Sequence, residues 1–207
     1  MRLIESLNWR YATKKFDDSK QVDSKDIEVL KESIRLAATS YGLQPFKVKI
    51  VRDAELKEKL KSVSFNQSQI LESSHVFVFA HLTKVKPSFI DDYINLCASE
   101  RQLNLNDLIG YSNFMKTTIS NLTDDEVHQW ASKQAYIGMT NLLTACAEMR
   151  IDACPIEGFE SGKYNEILDL TSKDLSACVV VAVGYRATDD SNQHLKKVRL
   201  ATEDLFI

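Results

Sequence analysis

Two kinds of apolar pattern recur along the chain. His75-Val76-Phe77-Val78-Phe79-Ala80 and Ala177 to Gly184 are near-unbroken apolar runs of strand length, the pattern of strands covered on both faces. Phe46-Lys47-Val48-Lys49-Ile50 alternates and predicts a half-buried strand. Ile151 to Cys154 predicts a short strand that leads into a turn opening at Pro155. Helical spacing appears in Ile27, Leu30 and Ile34 behind a cap at Asp23-Ser24, with an end near Thr39. Asp53 to Val63 and Lys163 to Leu170 predict short helices. Pro87 suits the first turn of another, with Phe89, Tyr93, Leu96 and Leu103 as its apolar face. Asn106 to Leu122 predicts a helix whose Leu108, Tyr111, Phe114 and Met115 leave an apolar portion exposed. Thr123-Asp124-Asp125-Glu126 has the spacing of a capping box and starts a helix that reaches about Met149. The second half of that helix is apolar on most sides, so it is a buried central helix or a subunit interface, the interface being preferred. Residues 185–207 are polar, yet Leu200, Leu205, Phe206 and Ile207 mark a tail that docks on some surface, a partner subunit included. The pattern predicts one α+β domain over 1–207: a small, mostly antiparallel sheet wrapped by helices.

Composition narrows the chemistry. The 207 residues are 44 % hydrophobic and 27 % charged, enough for one core without covalent staples. Twenty-six basic against 29 acidic residues give a net charge of −3, which argues against a general nucleic-acid binder. Cys97, Cys146, Cys154 and Cys178 form no C-x-x-C pair, and the four histidines no metal signature; no metal site is expected, and reduced thiols suit a cytoplasmic protein. No apolar stretch has the length of a membrane span, and the first ten residues show no export leader. Six glycines form neither G-x-G-x-x-G nor a P-loop. A bound phosphate therefore has to be held by side chains and isolated turns.

Side chains of that kind stand at opposite ends of the sequence. Arg10-Tyr11-Ala12-Thr13-Lys14-Lys15-Phe16 opens it, and His194-Leu195-Lys196-Lys197-Val198-Arg199-Leu200 nearly closes it. If the fold joins the two ends, Arg10, Lys197 and Arg199 can grip one phosphate, since forked guanidinium and ammonium groups match its oxygens. Taken separately, each cluster reads as a solvated charged face. Between them in sequence lies Cys154-Pro155-Ile156-Glu157-Gly158-Phe159, where glycine permits close approach of the backbone to a ligand.

These pieces also occur in a known order. Arg10-x-x-Thr13-Lys14-x-Phe16, Thr39-Ser40 with Gln44-Pro45-Phe46, and Asn66 ahead of Ser74-His75-Val76 are followed by Lys133-Gln134-x-Tyr136, Pro155 to Phe159 and Lys197-x-Arg199-Leu200. In this series, which runs from about Ile4 to Leu200, the chain resembles the FMN-dependent nitroreductase family. The branch that it resembles contains the oxygen-insensitive NAD(P)H nitroreductases, flavin reductases and dihydropteridine reductases. The resemblance implies an intertwined homodimer in which a C-terminal extension, about 185–207, embraces the partner subunit and FMN lies at the interface. It implies that Arg10, Lys197 and Arg199 hold the FMN phosphate, with Tyr11 and Ala12 beside them. Lys14 polarises the N1/O2 edge of the ring. Thr39, Ser40 and Gly42 contribute interface contacts, and Asn66 reads the pyrimidine edge with Gln69 nearby. Pro155, Ile156, Glu157 and Gly158 pack against one ring face. Phe114 and Tyr41 border the substrate pocket.

The activity so implied is an NAD(P)H oxidoreductase: NADH or NADPH gives a hydride to flavin N5, and a quinone, nitroaromatic, flavin or pterin then takes two electrons in a ping-pong cycle. No protein nucleophile or base is implied, because the flavin carries the chemistry. A flavin-binding or storage module, or a family member with non-hydride flavin chemistry, is the alternative. This chain departs from the branch at three places. Tyr11-Ala12 replaces a common His-Ser, which removes one hydroxyl from the phosphate. Gln69 stands where a second lysine is common, which implies a lower flavin potential than a two-lysine site gives. Tyr41-Gly42-Leu43 precedes Gln44 where the branch has asparagine or a similar residue.

Overall fold

The computed structural model describes residues 2–207; Met1, and with it the first position of the leader reading, lies outside the described residues. Four strands, β1 (Phe46–Val51), β2 (His75–Leu82), β3 (Asp152–Ile156) and β4 (Leu175–Gly184), form one sheet in the order β1-β2-β4-β3. Every neighbouring pair is antiparallel. The two apolar runs are the central strands, and Val76 to Phe79 and Val179 to Val183 are fully buried. The register of β2 on β4 shifts between Phe79 and Ala80, which leaves Cys178 as the extra residue of a bulge. Pro155 does not open a turn as expected: it lies inside β3, opposite Val181, with Ile156 opposite Val180. β3 is an edge strand, so the missing proline N–H costs no ladder bond on the outer side. The turn begins at Glu157.

Alternation along the strands divides the core in two. Val76, Val78, Ala80, Val180 and Ala182 face one way, against Leu60 of α3 (Ala54–Ser62) and Tyr164 of α8 (Ser161–Ile167). Phe77, Phe79, Val179, Val181 and Val183 face the other, against Leu30 and Ile34 of α2 (Ser24–Arg35) and Leu142 and Cys146 of α7 (Asp124–Glu148). The capping box at Thr123 and Glu126 is formed. α7 presses close to the sheet because Gly138 has no side chain; a Cβ there would stand 2.9 Å from Cζ of Phe46. One face of α7 is thus central core, the reading not preferred from sequence, while Ile137 stays exposed.

α5 (Pro87–Arg101) and α6 (Leu105–Ser120) pack on each other as a lobe with a core of its own, formed by Leu43, Ile90, Ile94, Met115 and Ile119. The buried face of α5 is not the expected one. Phe89 and Tyr93 border this core, but Leu96 and Leu103 are 56 % and 44 % exposed; Ile90, Ile94, Cys97 and Ala98 are buried instead. Three helices had no sequence forecast: α1 (Arg2–Trp9), α4 (Gln69–Glu72) and α9 (Thr202–Leu205). The C-terminal segment begins on the chain's own surface. Ala187 N–H donates to the Lys15 carbonyl at 3.0 Å and Asp17 N–H to the Tyr185 carbonyl at 2.8 Å, fastening its first part to the chain's own N-terminal segment. From Val198 onward the apolar side chains stand in the open. All four cysteines are unpaired, and among the described residues no helix is long and apolar enough to cross a membrane.

Candidate functional site

The segment from Arg10 to Phe16 has little regular structure and is held by two buried carboxylates. Single bridges pair Ala12 with Ala153 and Phe16 with Arg186. Asp190, 3 % exposed, accepts from Tyr11 Oη at 2.9 Å, Lys14 N–H at 2.9 Å, Lys15 N–H at 3.3 Å and Asn192 N–H at 3.0 Å. Burial pushes its pKa up, but these donors outweigh burial and hold it below the usual carboxylate value. Tyr11 shifts upward, through burial first and then its bond to Asp190. Asp152 accepts from Arg186 N–H at 2.9 Å and Nε at 2.8 Å. The Arg186 guanidinium in turn stacks on Trp9 and Tyr11, 4.3 and 4.6 Å from the ring centroids. Sequence reading missed Asp190, Asp152, Arg186 and Trp9; apart from Asn192, two positions from Asp190, their partners lie from 34 to 179 positions away.

Arg10, Lys197 and Arg199 converge within this one chain. Lys197 Nζ donates to the Leu7 carbonyl at 2.6 Å and to the Arg10 carbonyl, so it caps the C-terminal carbonyls of α1. Arg10 Nε is buried with no hydrogen-bond partner. Arg10 is pushed below its ordinary pKa by burial and then by Arg199; Lys197 is lowered by burial and then by both arginines. No carboxylate contributes to either shift. Gathering cations without a counter-charge is unfavourable unless an anion completes the set. Two cavities meet here. The larger, about 350 Å³, is lined by Asn8, Trp9, Arg10, Asn192, Lys197 and Arg199 among others. The smaller, about 190 Å³, is more apolar and is lined by Leu143, Cys146, Ile151, Ala153 and Pro155. Arg10, Tyr11, Ala12 and Arg199 line both.

A second loop borders the turn after β3. Gln67 Nε2 donates to the Gly158 carbonyl at 2.7 Å, and the Phe65 ring stands 3.5 Å from where a Gly158 Cβ would lie. Phe65 and Asn66 have φ of 52° and 55°, the left-handed region, which costs a non-glycine residue energy unless its surroundings enforce it. Glu157 accepts from Tyr136 Oη at 2.7 Å; burial, then this carboxylate, raises the tyrosine pKa. Lys14 is exposed and near enough to Cys154 to oppose the upward push that burial gives that thiol. Two expected contributors sit differently. Ile156 is 3 % exposed and its side chain belongs to the core. Gln69 is 7 % exposed, begins α4 and lines neither cavity.

Thr39, Ser40, Tyr41, Gly42 and Phe114 lie elsewhere in the chain. Ser40 N–H donates to Gln134 Oε1 at 2.8 Å, while Tyr136 reaches Glu157. Two residues on a helix are about 200° apart, so α7 separates this group from the turn after β3. Thr39 Oγ1 accepts from Gln44 N–H at 3.1 Å and holds its own loop. Tyr41, at φ 58°, stands edge-on to Tyr111 and Phe114 with ring centroids 6.5 and 6.2 Å away. Gly42, at φ 76°, has the hydroxyl of Tyr93 in the place of a Cβ. Phe114 is 57 % exposed, an aromatic with one face unpartnered.

Comparison with known proteins covers nearly the whole chain. The model of the Nitroreductase family matches residues 7–185. The chain is 34 % identical over 215 residues to the Bacillus subtilis (strain 168) protein named "Putative NAD(P)H nitroreductase YfkO", covering 99 % of this chain and 96 % of that one. It is 32 % identical to "Putative NAD(P)H nitroreductase SERP2086" of Staphylococcus epidermidis, covering 99 % and 95 %. Among solved structures it superposes on a "putative nitroreductase in complex with FMN" from Exiguobacterium sibiricum with a TM-score of 0.84, at 20 % identity over 99 % of this chain and 96 % of that one. The match to the "putative nitroreductase ydfN" of B. subtilis has a TM-score of 0.89 at 19 % identity, over 99 % and 97 %. With the α+β architecture and the end-to-end match agreeing, the chain belongs to the Nitroreductase family.

Proposed function

We propose that this protein is an FMN-dependent NAD(P)H oxidoreductase acting on small-molecule acceptors: quinones, nitroaromatics, flavins or pterins. One observation carries the reading. Arg10, Lys197 and Arg199, from opposite ends of the chain, meet at a cavity with no carboxylate to answer them, and Arg10 Nε is buried without a partner. That donor set fits a phosphate monoester. Ala12 adds no hydroxyl there, so the grip rests on the three cations. The names of the B. subtilis and E. sibiricum relatives, an NAD(P)H nitroreductase and an FMN complex, support the same cofactor pair.

In this reading Arg10, Lys197 and Arg199 bind the phosphate, and Asp190 fixes the 11–15 backbone so that Lys14 stands at the ring edge. Lys14 favours the negative charge that reduction places there. Pro155 and Gly158 offer a flat, side-chain-poor surface to one ring face, with Asn66 beside it. When bound, the flavin supplies hydride acceptance from the nicotinamide and delivery to the acceptor. Thr39, Ser40, Gly42, Tyr41 and Phe114 face away from this cluster, so we assign them to the partner's site in a homodimer, with the exposed residues after Arg199 lying on the partner. Unpaired cysteines suit a reducing cytoplasm. An absorbance spectrum of the purified protein and anaerobic addition of NADH and NADPH test the reading. Bleaching of a bound flavin by either nucleotide is expected. A colourless protein that takes up no FMN refutes the reading, and a bound flavin that ignores both nucleotides leaves a storage role or non-hydride flavin chemistry.

A further inference from the structure

The larger cavity holds more than a phosphate needs. At about 350 Å³ it falls within the range of small-molecule sites, and Asn8, Trp9, Asn192, Gln193, Leu195 and Lys196 line it beyond the three cations assigned above. It shares Arg10 and Arg199 with the smaller, more enclosed apolar cavity beside Pro155. Whatever is bonded to a phosphate held by Arg10 and Arg199 therefore has the larger cavity as its lined exit. Lys196 adds a fourth cation at that exit, and Asn8 and Asn192 add amides that can both donate and accept.

We propose that this cavity is an adenylate subsite, and that the protein binds FAD as well as FMN by seating the AMP half of the dinucleotide there. The inference rests on the flavin reading above and extends it to a second cofactor. A pyrophosphate spreads its negative charge over two phosphoryl groups, and the cavity spreads its cations in the same way: Arg10, Lys197 and Arg199 serve the inner group and Lys196 the outer. Asn8 and Asn192 face the nucleoside. The ring of Trp9 already stacks on Arg186 and Arg150, so it forms a wall and not a free stacking platform.

Equilibrium binding separates the outcomes. The flavin-stripped protein is titrated with FMN and with FAD, following flavin fluorescence, and each ligand is competed against the other. FAD is expected to bind in the same stoichiometry as FMN and to displace it. Lys196→Ala is expected to weaken FAD about tenfold, the low end for one charge-assisted hydrogen bond to a phosphate, and to leave FMN affinity in place. Asn8→Trp, which fills the cavity from the exposed side of α1, is expected to exclude FAD and keep FMN. FMN binding with FAD excluded from the unaltered protein overturns the adenylate subsite and leaves the flavin reading standing. FAD binding that neither variant alters also overturns it, because the AMP half then trails in solvent. Failure to bind either flavin removes the flavin reading itself.

Discussion

Replacing Asp190 by alanine should loosen the whole phosphate-side segment, although Asp190 touches no cavity-lining cation. Its carboxylate ends four hydrogen bonds, three from backbone N–H groups and one from Tyr11. At about 1.5 kcal/mol, the low end for each bond to a charged acceptor, full loss amounts to about 6 kcal/mol. Lys14 and Lys15 are exposed, so water recovers part of that, and about 3 to 4 kcal/mol is expected. Asp190→Asn keeps one acceptor oxygen and should cost about half as much. The control is Asp189→Ala, which removes only an exposed partner of Lys15 and should leave stability essentially where it was. Urea unfolding gives the stability and FMN titration the affinity, which should fall with Asp190→Ala because the segment bearing Arg10 is no longer pinned. The sign with pH is fixed by linkage. The folded carboxyl is the stronger acid, so its contribution is present above the unfolded value of about 3.9 and is lost as pH falls below it. An Asp190→Ala protein within about 1 kcal/mol of the original, or with undiminished FMN affinity, refutes the reasoning.

Three further outcomes are expected. Arg10→Ala should weaken FMN about ten- to a hundredfold by fluorescence titration, the cost of one charge-assisted contact, and unaltered affinity counts against the phosphate grip. Gly42→Ala should destabilise by about 1 to 3 kcal/mol, since φ is 76° and its Cβ would stand 2.5 Å from Tyr93 Oη; Tyr93→Phe in the same protein should restore part of the loss in a melting measurement. His81, pushed down to about 4 by burial and then by His128, is neutral in the fold and charged in the unfolded chain near pH 5. Stability should therefore decline as pH falls from about 6.5 toward 4, and His81→Leu should flatten that decline in urea titrations at several pH values.

How much was legible beforehand varies by element. β2 and β4 were plain because a strand covered on both faces has to be apolar at every position. The capping box at Thr123 was plain because all its atoms lie within one turn. The buried face of α5 was not. Phe89-Tyr93-Leu96 and Ile90-Ile94-Cys97-Ala98 both have helical spacing, and only the docking of α6 decides between them. Pro155 likewise reads as a turn until its strand is known to be an edge.

From the sequence alone came the class of the fold, the types of residue available to hold a phosphate and the order that marks the family. These are properties of spacing and side-chain chemistry, which a chain carries whether or not it is folded. The tertiary structure alone decided that Arg10 and Lys197 meet, that Asp190 holds the segment between them, and that α7 keeps the Ser40 loop apart from the turn after β3. Each depends on contacts between residues remote in sequence, and burial gives such contacts their strength only once water has been excluded around them.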